Sequence, residues 1–154
     1  MKTLKKTSIL TLMLITGLIF STTAFAQDAK VVEMEGTNQM KFTVTEIKAE
    51  PVQKITVKLT TVSNLPPMAM SHNFVLLKDG VDVSEFAIAA SRAKDNDYIP
   101  EDKKDEIIAY TDLAGGGETV TVTFTAPEKS GEYEYICTFP GHYQGGMVGT
   151  LVVK

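Results

Sequence analysis

From Val31 onward, apolar and polar residues alternate with period two in a series of short runs. Val31-Val32-Glu33-Met34-Glu35 opens the series. Met40 to Ile47 follows, with apolar residues at 40, 42, 44 and 47, and Lys54-Ile55-Thr56-Val57-Lys58-Leu59 alternates strictly. His72 to Leu77 is continuously apolar after its first two residues, and Ile107 to Tyr110, Glu118 to Thr125, Glu132 to Cys137 and Met147 to Val153 complete the set. Eight such runs, punctuated by Gly, Pro, Asn and Ser, predict an all-β sandwich or barrel. One segment departs from the pattern. Between Val83 and Ala93 the chain is alanine-rich, and Phe86, Ala89, Ala90 and Ala93 fall at i, i+3, i+4 and i+7, which predicts a helical stripe. Asp82 with Glu85 three residues on resembles a capping box, so a helical flap is expected at about residues 82–94. Asp95 to Asp105 is polar and charged and contains Pro100, which predicts a solvated loop. There is no internal repeat and no second domain.

Ahead of the alternating runs the pattern changes again. Lys2, Lys5 and Lys6 precede an apolar stretch from Ile9 to Phe20, and Ala24-Phe25-Ala26 places small residues where a signal peptidase reads them. Residues 1–26 are therefore expected to be a secretory signal peptide and 27–154 a single domain. The apolar stretch is shorter than the about 20 residues a membrane span requires, so no anchor is expected after cleavage. The chain is expected to be periplasmic or otherwise exported.

Composition narrows the function. The whole chain carries a formal charge of −4, and its densest lysines lie in the signal segment. Three of the 15 basic residues and none of the 19 acidic ones precede residue 27, which leaves the remainder at −7. A nucleic-acid partner held by a basic footprint is disfavoured. The single cysteine excludes an intrachain disulfide and any zinc site built from several cysteines.

That cysteine sits in an unusual setting. Cys137, His142 and Met147 are spaced Cys-x4-His-x4-Met, with Pro140, Gly141, Gly145 and Gly146 between them to turn a short loop back on itself. The only other histidine, His72, follows the Pro66-Pro67 turn 65 residues upstream of Cys137. If the two segments adjoin at one end of the sandwich, two imidazoles, a thiolate and a thioether converge. Two His and one Cys with a weak axial Met suit copper: the sulfur ligands favour Cu(I) and imidazole serves both oxidation states. Zinc's usual structural sets differ, and no carboxylate cluster has calcium spacing. Taken singly, a cysteine or methionine is usually core filler and a histidine a hydrogen-bonded residue. Their coincidence in one Gly/Pro loop of an exported all-β chain, where an unpaired thiol is a liability, argues for a metal. Two other readings use the same residues. Met68-x-Met70-x-His72, if extended, presents soft donors on one side and suggests a copper scavenger or carrier. Cys137 with His142 as base suggests a cysteine enzyme, although nothing resembles an oxyanion loop and Met147 then has no role.

Cys137-Thr138-Phe139-Pro140-Gly141-His142, Met70-Ser71-His72-Asn73 and Gly149-Thr150-Leu151 resemble the azurin branch of the cupredoxins. The likeness extends to Gly36-Thr37-Asn38-Gln39-Met40-Lys41-Phe42, Asn64-Leu65-Pro66, Asp97-Tyr98 and Gly115-Gly116-Gly117-Glu118. It implies an eight-stranded Greek-key β-sandwich with a helical flap and one type 1 copper ion cycling between Cu(II) and Cu(I). It also implies single-electron transfer rather than catalysis. By the resemblance, His72, Cys137 and His142 are equatorial ligands and Met147 axial, and the partners are redox proteins such as c-type cytochromes or an oxidase or reductase. The interval from His142 to Met147 is one residue longer than azurin's and similar to that of the auracyanins. Ser71 stands where azurin has the glycine whose carbonyl approaches copper, and the azurin disulfide is absent. Around the ligands, Asn73 is expected to tie the His72 segment to the Cys137 loop through Thr138, and the Phe139 N–H to reach the thiolate sulfur. Met68, Met70, Pro66, Pro67, Phe139 and Pro140 are candidates for an exposed apolar docking surface.

Overall fold

The computed structural model describes residues 29–154, so the expected signal peptide, residues 1–26, lies outside the described residues. Among those residues eight strands form two sheets. β1 (Lys30–Thr37), β3 (Lys54–Val62) and β6 (Thr119–Thr125) make the smaller sheet in the order β1-β3-β6. The larger sheet runs β2-β8-β7-β4-β5, formed by β2 (Glu46–Ala49), β8 (Val148–Val153), β7 (Gly131–Ile136), β4 (Val75–Leu77) and β5 (Ile107–Tyr110). This is the mainly β, two-sheet cupredoxin-like architecture, with a helical insertion between β4 and β5.

Alternation places the core between the sheets. Ile55, Val57 and Leu59 of β3 are fully buried, while Lys54 and the outward threonines stay in reach of water. Facing them are Tyr133, Tyr135 and Leu151 of the larger sheet, together with Phe74 and Leu76. The uninterrupted apolar run of β4 has a different cause, because both of its faces are covered. Leu76 enters the main core, whereas Val75 and Leu77 pack with Ile136 under the helix residues Phe86, Ala87 and Ala90.

The helix α1 spans Val83–Arg92, and the Asp82 carboxylate accepts from the Glu85 N–H at 2.9 Å. Its buried face is Phe86, Ala87 and Ala90, with Val83 packed alongside, so the face is rotated from the expected Phe86/Ala89/Ala90/Ala93 stripe. The helix has ended by Ala93, whose backbone leaves the helical region. The expected solvated loop is partly wound, with 3-10 turns at Lys94–Asn96 and Glu101–Glu106, and it is anchored by buried Ile99.

Two expected strands are shorter than their hydrophobic patterns. Met40 adopts a left-handed conformation (φ 54°), and the chain from Thr37 to Lys41 closes into a turn through Thr37 N–H to Lys41 O (3.0 Å) and Met40 N–H to Thr37 O (2.9 Å). Of the 40–47 run only Glu46 and Ile47 enter a regular strand, β2, which continues to Ala49. His72 pairs as an isolated bridge with Ala114, and regular pairing resumes at Val75. No helix among the described residues is long and apolar enough to cross a membrane.

Candidate metal centre

Three chain segments meet at one end of the sandwich. The His72 segment is fixed by a reciprocal backbone pair, His72 N–H to Ala114 O (2.9 Å) and Ala114 N–H to His72 O (2.8 Å). Cys137 follows directly on β7, and its N–H donates to Met147 O at 3.2 Å. Between them, residues 139–147 form a single helix-like winding. Gly145 N–H reaches Gly141 O, Gly146 N–H reaches Tyr143 O (2.8 Å) and Met147 N–H reaches His142 O (2.9 Å). The last two bonds, with Gly146 at φ 85°, form a Schellman closure, which needs a residue free to adopt the left-handed region. The His142–Met147 interval is therefore one capped turn, and it returns Met147 beside Cys137.

The structure brings the predicted donors together. His72 Nδ1 lies 3.1 Å from His142 Nδ1, and Cys137 Sγ lies 3.4 Å from His142 Nδ1 and 3.9 Å from His72 Nδ1. A point about 2.0 Å from all three atoms exists within that triangle, close to ordinary metal–imidazole and metal–thiolate distances. All three residues are buried, and they are the group of His, Cys and carboxylate side chains among the described residues that can hold an ion. Met147 is fully buried in the same loop. Two nitrogens and a sulfur, with a thioether nearby, form a donor set of the type 1 copper kind.

Burial sets the protonation states. His72 falls to about 4, mainly through desolvation and then through the neighbouring His142, with a backbone interaction at Thr37 opposing the fall. Desolvation alone brings His142 to about 4. The Cys137 thiol is pushed up to about 12 by burial, against the opposing pull of the Asn73 and Phe139 backbone N–H groups. Near neutral pH both imidazoles thus present lone pairs. The high thiol value is the reverse of what a cysteine nucleophile requires. His72 Nε2 is buried with no hydrogen-bond partner.

Hydrogen bonds and ring contacts tie together the segments that carry the donors. Asn73 Nδ2 donates to Thr138 Oγ1 at 2.7 Å, and the Thr138 N–H donates to Asn73 Oδ1 at 2.9 Å, so the two ligand-bearing segments are tied by a buried pair of bonds. Phe139 lies against His142 in a tilted ring contact (centroids 4.8 Å, interplanar 44°), and Tyr98 meets Phe139 edge-on at 5.3 Å. The Ser71 hydroxyl donates to Pro67 O at 2.7 Å.

The expected docking residues separate into two groups. Pro66, Pro67 and Pro140 are exposed and Met68 is 89 % exposed, but Met70 and Phe139 are each only 8 % exposed and belong to the interior. The segment Pro66–Met70 is wound into a turn by Ala69 and Met70 N–H bonds to Pro66 O (2.8 and 3.0 Å). Met68, Met70 and His72 therefore do not share one side of a strand, and the soft-donor row expected of a copper carrier is not formed. Residues without an assigned role in the sequence also border the site. Gly36 lies against the His72 ring, Ala114 fixes the His72 backbone, and Lys41 contacts the ligand loop. In the sequence, Gly36 and Lys41 stand only within the Gly36–Phe42 stretch of the azurin likeness, with no role attached to either.

The sequence profile described as copper binding proteins, plastocyanin/azurin family, matches residues 29–154. Auracyanin-A of Chloroflexus aurantiacus is 40% identical over 120 residues, covering 75% of this chain and 68% of that protein. Azurin of Pseudomonas aeruginosa is 37% identical over 127 residues, covering 80% and 84% respectively. Among solved structures, dithionite-reduced auracyanin from Roseiflexus castenholzii superposes with a TM-score of 0.72 at 34% identity, covering 82% of this chain and 98% of that one. Auracyanin A of Chloroflexus aurantiacus, described as a "blue" copper protein, gives 0.71 at 38% identity, covering 80% and 98%.

Proposed function

The chain belongs to the plastocyanin/azurin family of copper-binding proteins, and from that premise we propose that it is an exported one-electron carrier. In this reading His72, Cys137 and His142 would hold a single copper ion, and the buried Met147 beside them would offer a further soft donor. When bound, the ion would supply a Cu(II)/Cu(I) couple whose potential would depend on the soft thioether donor and on hydrogen bonding at the sulfur. The protein's part is to hold the donors in one geometry, to exclude water and to present one edge of the site to a partner. The convergence of two Nδ1 atoms and Sγ within 3.1–3.9 Å, inside a buried framework of hydrogen bonds, is the observation that carries the reading.

His142 is the better edge for exchange. It retains 2 % exposure whereas His72 has none, and the neighbouring Pro140 and Gly141 are exposed. Phe139, in tilted ring contact with His142, also lines a groove of about 360 Å³ with Pro67, Met68 and Tyr98. A partner such as a c-type cytochrome, an oxidase or a reductase would dock over the exposed Met68, Pro67 and Pro140 rather than over buried Met70.

The test is the visible absorption and EPR spectrum of residues 27–154 with one equivalent of Cu(II). An intense thiolate-to-copper band, lost in Cys137→Ser and bleached reversibly by ascorbate, supports the carrier. A weak tetragonal spectrum unaffected by Cys137→Ser would remove it.

A further inference from the structure

The Gly36–Phe42 turn touches both halves of the metal centre. At its start, Gly36 packs on the His72 ring, with 2.6 Å from an ideal Cβ position to His72 Cδ2. At its other end, the Lys41 ammonium donates to Gly145 O at 2.8 Å and to Gly146 O at 3.1 Å, across 104 and 105 residues of sequence. Met40 reinforces the contact, since its Sδ and Cε lie 3.2 Å from where a Gly145 Cβ would be.

Those two carbonyls have a particular position. The winding of residues 139–147 uses the carbonyls of Phe139, Gly141, His142 and Tyr143 as backbone acceptors, and the carbonyls at its C-terminal end have no acceptor role in that backbone pattern. A cationic side chain is the natural donor there, because it satisfies the orphaned oxygens and opposes the partial negative charge of the winding's end. Met147 is the next residue. Its own N–H and C=O are bonded to His142 and Cys137, so any slack at Gly145–Gly146 is transmitted to the axial residue and to the backbone of both loop donors.

We propose that Lys41 is a positioning residue for the metal centre. Its ammonium clamps the end of the ligand loop to the same turn that supports His72, and so fixes the separation between the Met147 and His72 sides of the site. The inference rests on the copper reading given above and assigns to that site a determinant outside the four ligands. Gly146 is required on both counts, because a side chain there would occupy the space of the Lys41 ammonium as well as disfavour the left-handed backbone.

The experiment compares wild type, Lys41→Met and Lys41→Arg, each metal-free and loaded with one equivalent of Cu(II). Lys41→Met retains the aliphatic stem and removes the donors, whereas Lys41→Arg restores a cationic donor. Expected for Lys41→Met are faster amide exchange at Gly145, Gly146 and Met147, copper loss to a chelator about fivefold faster, and an altered copper hyperfine coupling, all reversed in Lys41→Arg. Exchange at Val57 and Leu59 in β3 should not change, which separates loop release from global destabilisation. If hyperfine coupling and copper loss in Lys41→Met equal those of wild type, the proposal is overturned, even where loop exchange rises. If wild type itself shows no thiolate-to-copper band, the copper reading fails instead. Unchanged loop exchange in the metal-free Lys41→Met protein would then overturn the clamp independently.

Discussion

Gly36→Ala adds one methyl group beside a ligand, and the structure sets its cost. An ideal Cβ at position 36 lies 2.6 Å from His72 Cδ2, 2.7 Å from Cγ and 3.0 Å from Cβ. Ordinary carbon contacts begin near 3.4 Å, so the two residues must separate by about 0.8 Å. Neither side yields freely. β1 is paired in register with β3 through Gly36 and Thr61 and bridged to Phe42, while the fully buried His72 is held by both backbone bonds to Ala114. Overpacking of this kind costs about 1–3 kcal/mol, to be read from urea unfolding of the metal-free protein. The His72 Nδ1 already lies 3.1 Å from His142 Nδ1, so the ring has little room to retreat within the donor cluster, and displacement beyond about 0.5 Å exceeds what a preorganised site tolerates. Copper affinity should fall by about 10- to 100-fold, with a changed visible spectrum. Gly131→Ala is the control, since its nearest neighbour is 3.8 Å away and its stability should stay within about 0.5 kcal/mol of wild type. A Gly36→Ala protein with wild-type stability and spectrum would refute the packing argument.

Asn73→Ala leaves the buried Thr138 N–H and hydroxyl without their partner and should destabilise the metal-free protein by about 1–3 kcal/mol, with a double-mutant cycle against Thr138→Val giving a clear coupling energy. Copper uptake at pH 7 should release close to one proton per ion, because the imidazoles near 4 are already neutral and the thiol near 12 is not ionised; a pH-stat titration giving two or more would contradict that state. Since both histidines titrate lower when folded than when unfolded, the unfolded chain binds more protons between about 6.5 and 4. Stability of the metal-free protein is therefore flat with respect to these groups above pH 7 and falls as pH drops through that window, as urea midpoints across pH will test.

The parts of the fold legible in the sequence are those where one face of an element decides its fate. β3 reads as strict alternation because its outer face is open to water, and the Asp82 cap marks the start of α1 before any tertiary contact is considered. The run from Met40 to Ile47 misleads because Met40 turns left-handed within it, a choice stabilised by the Thr37–Lys41 turn bonds rather than by side-chain pattern. The helix face is displaced for a similar reason. β4 is already apolar on both sides, so the packing of Phe86, Ala87 and Ala90 onto Val75 and Leu77 selects the face. Within the site, the identities of the donors are visible because they are the chain's only cysteine and only histidines. Their supports at Gly36, Lys41 and Ala114 are not, because a glycine or lysine acquires its role only from what a distant segment places beside it.

The bonds that place the donors are made by other atoms than the donors themselves. His72 is located by its backbone pair with Ala114, and His142 by its N–H to Phe139 O and its carbonyl to Met147. Cys137 is located by Met147 and, through Thr138, by Asn73. The two imidazole Nδ1 atoms and the sulfur are left facing one another at 3.1–3.9 Å, in surroundings that disfavour protonating the imidazoles and ionising the thiol. A cation of suitable softness offsets that arrangement, whereas a bound proton satisfies only part of it. Geometry imposed in this way belongs to the chain and not to the preference of either copper oxidation state. With copper held there, an electron would enter or leave with little movement of the ligands, and the residues most able to alter this behaviour would be the supports behind the donors.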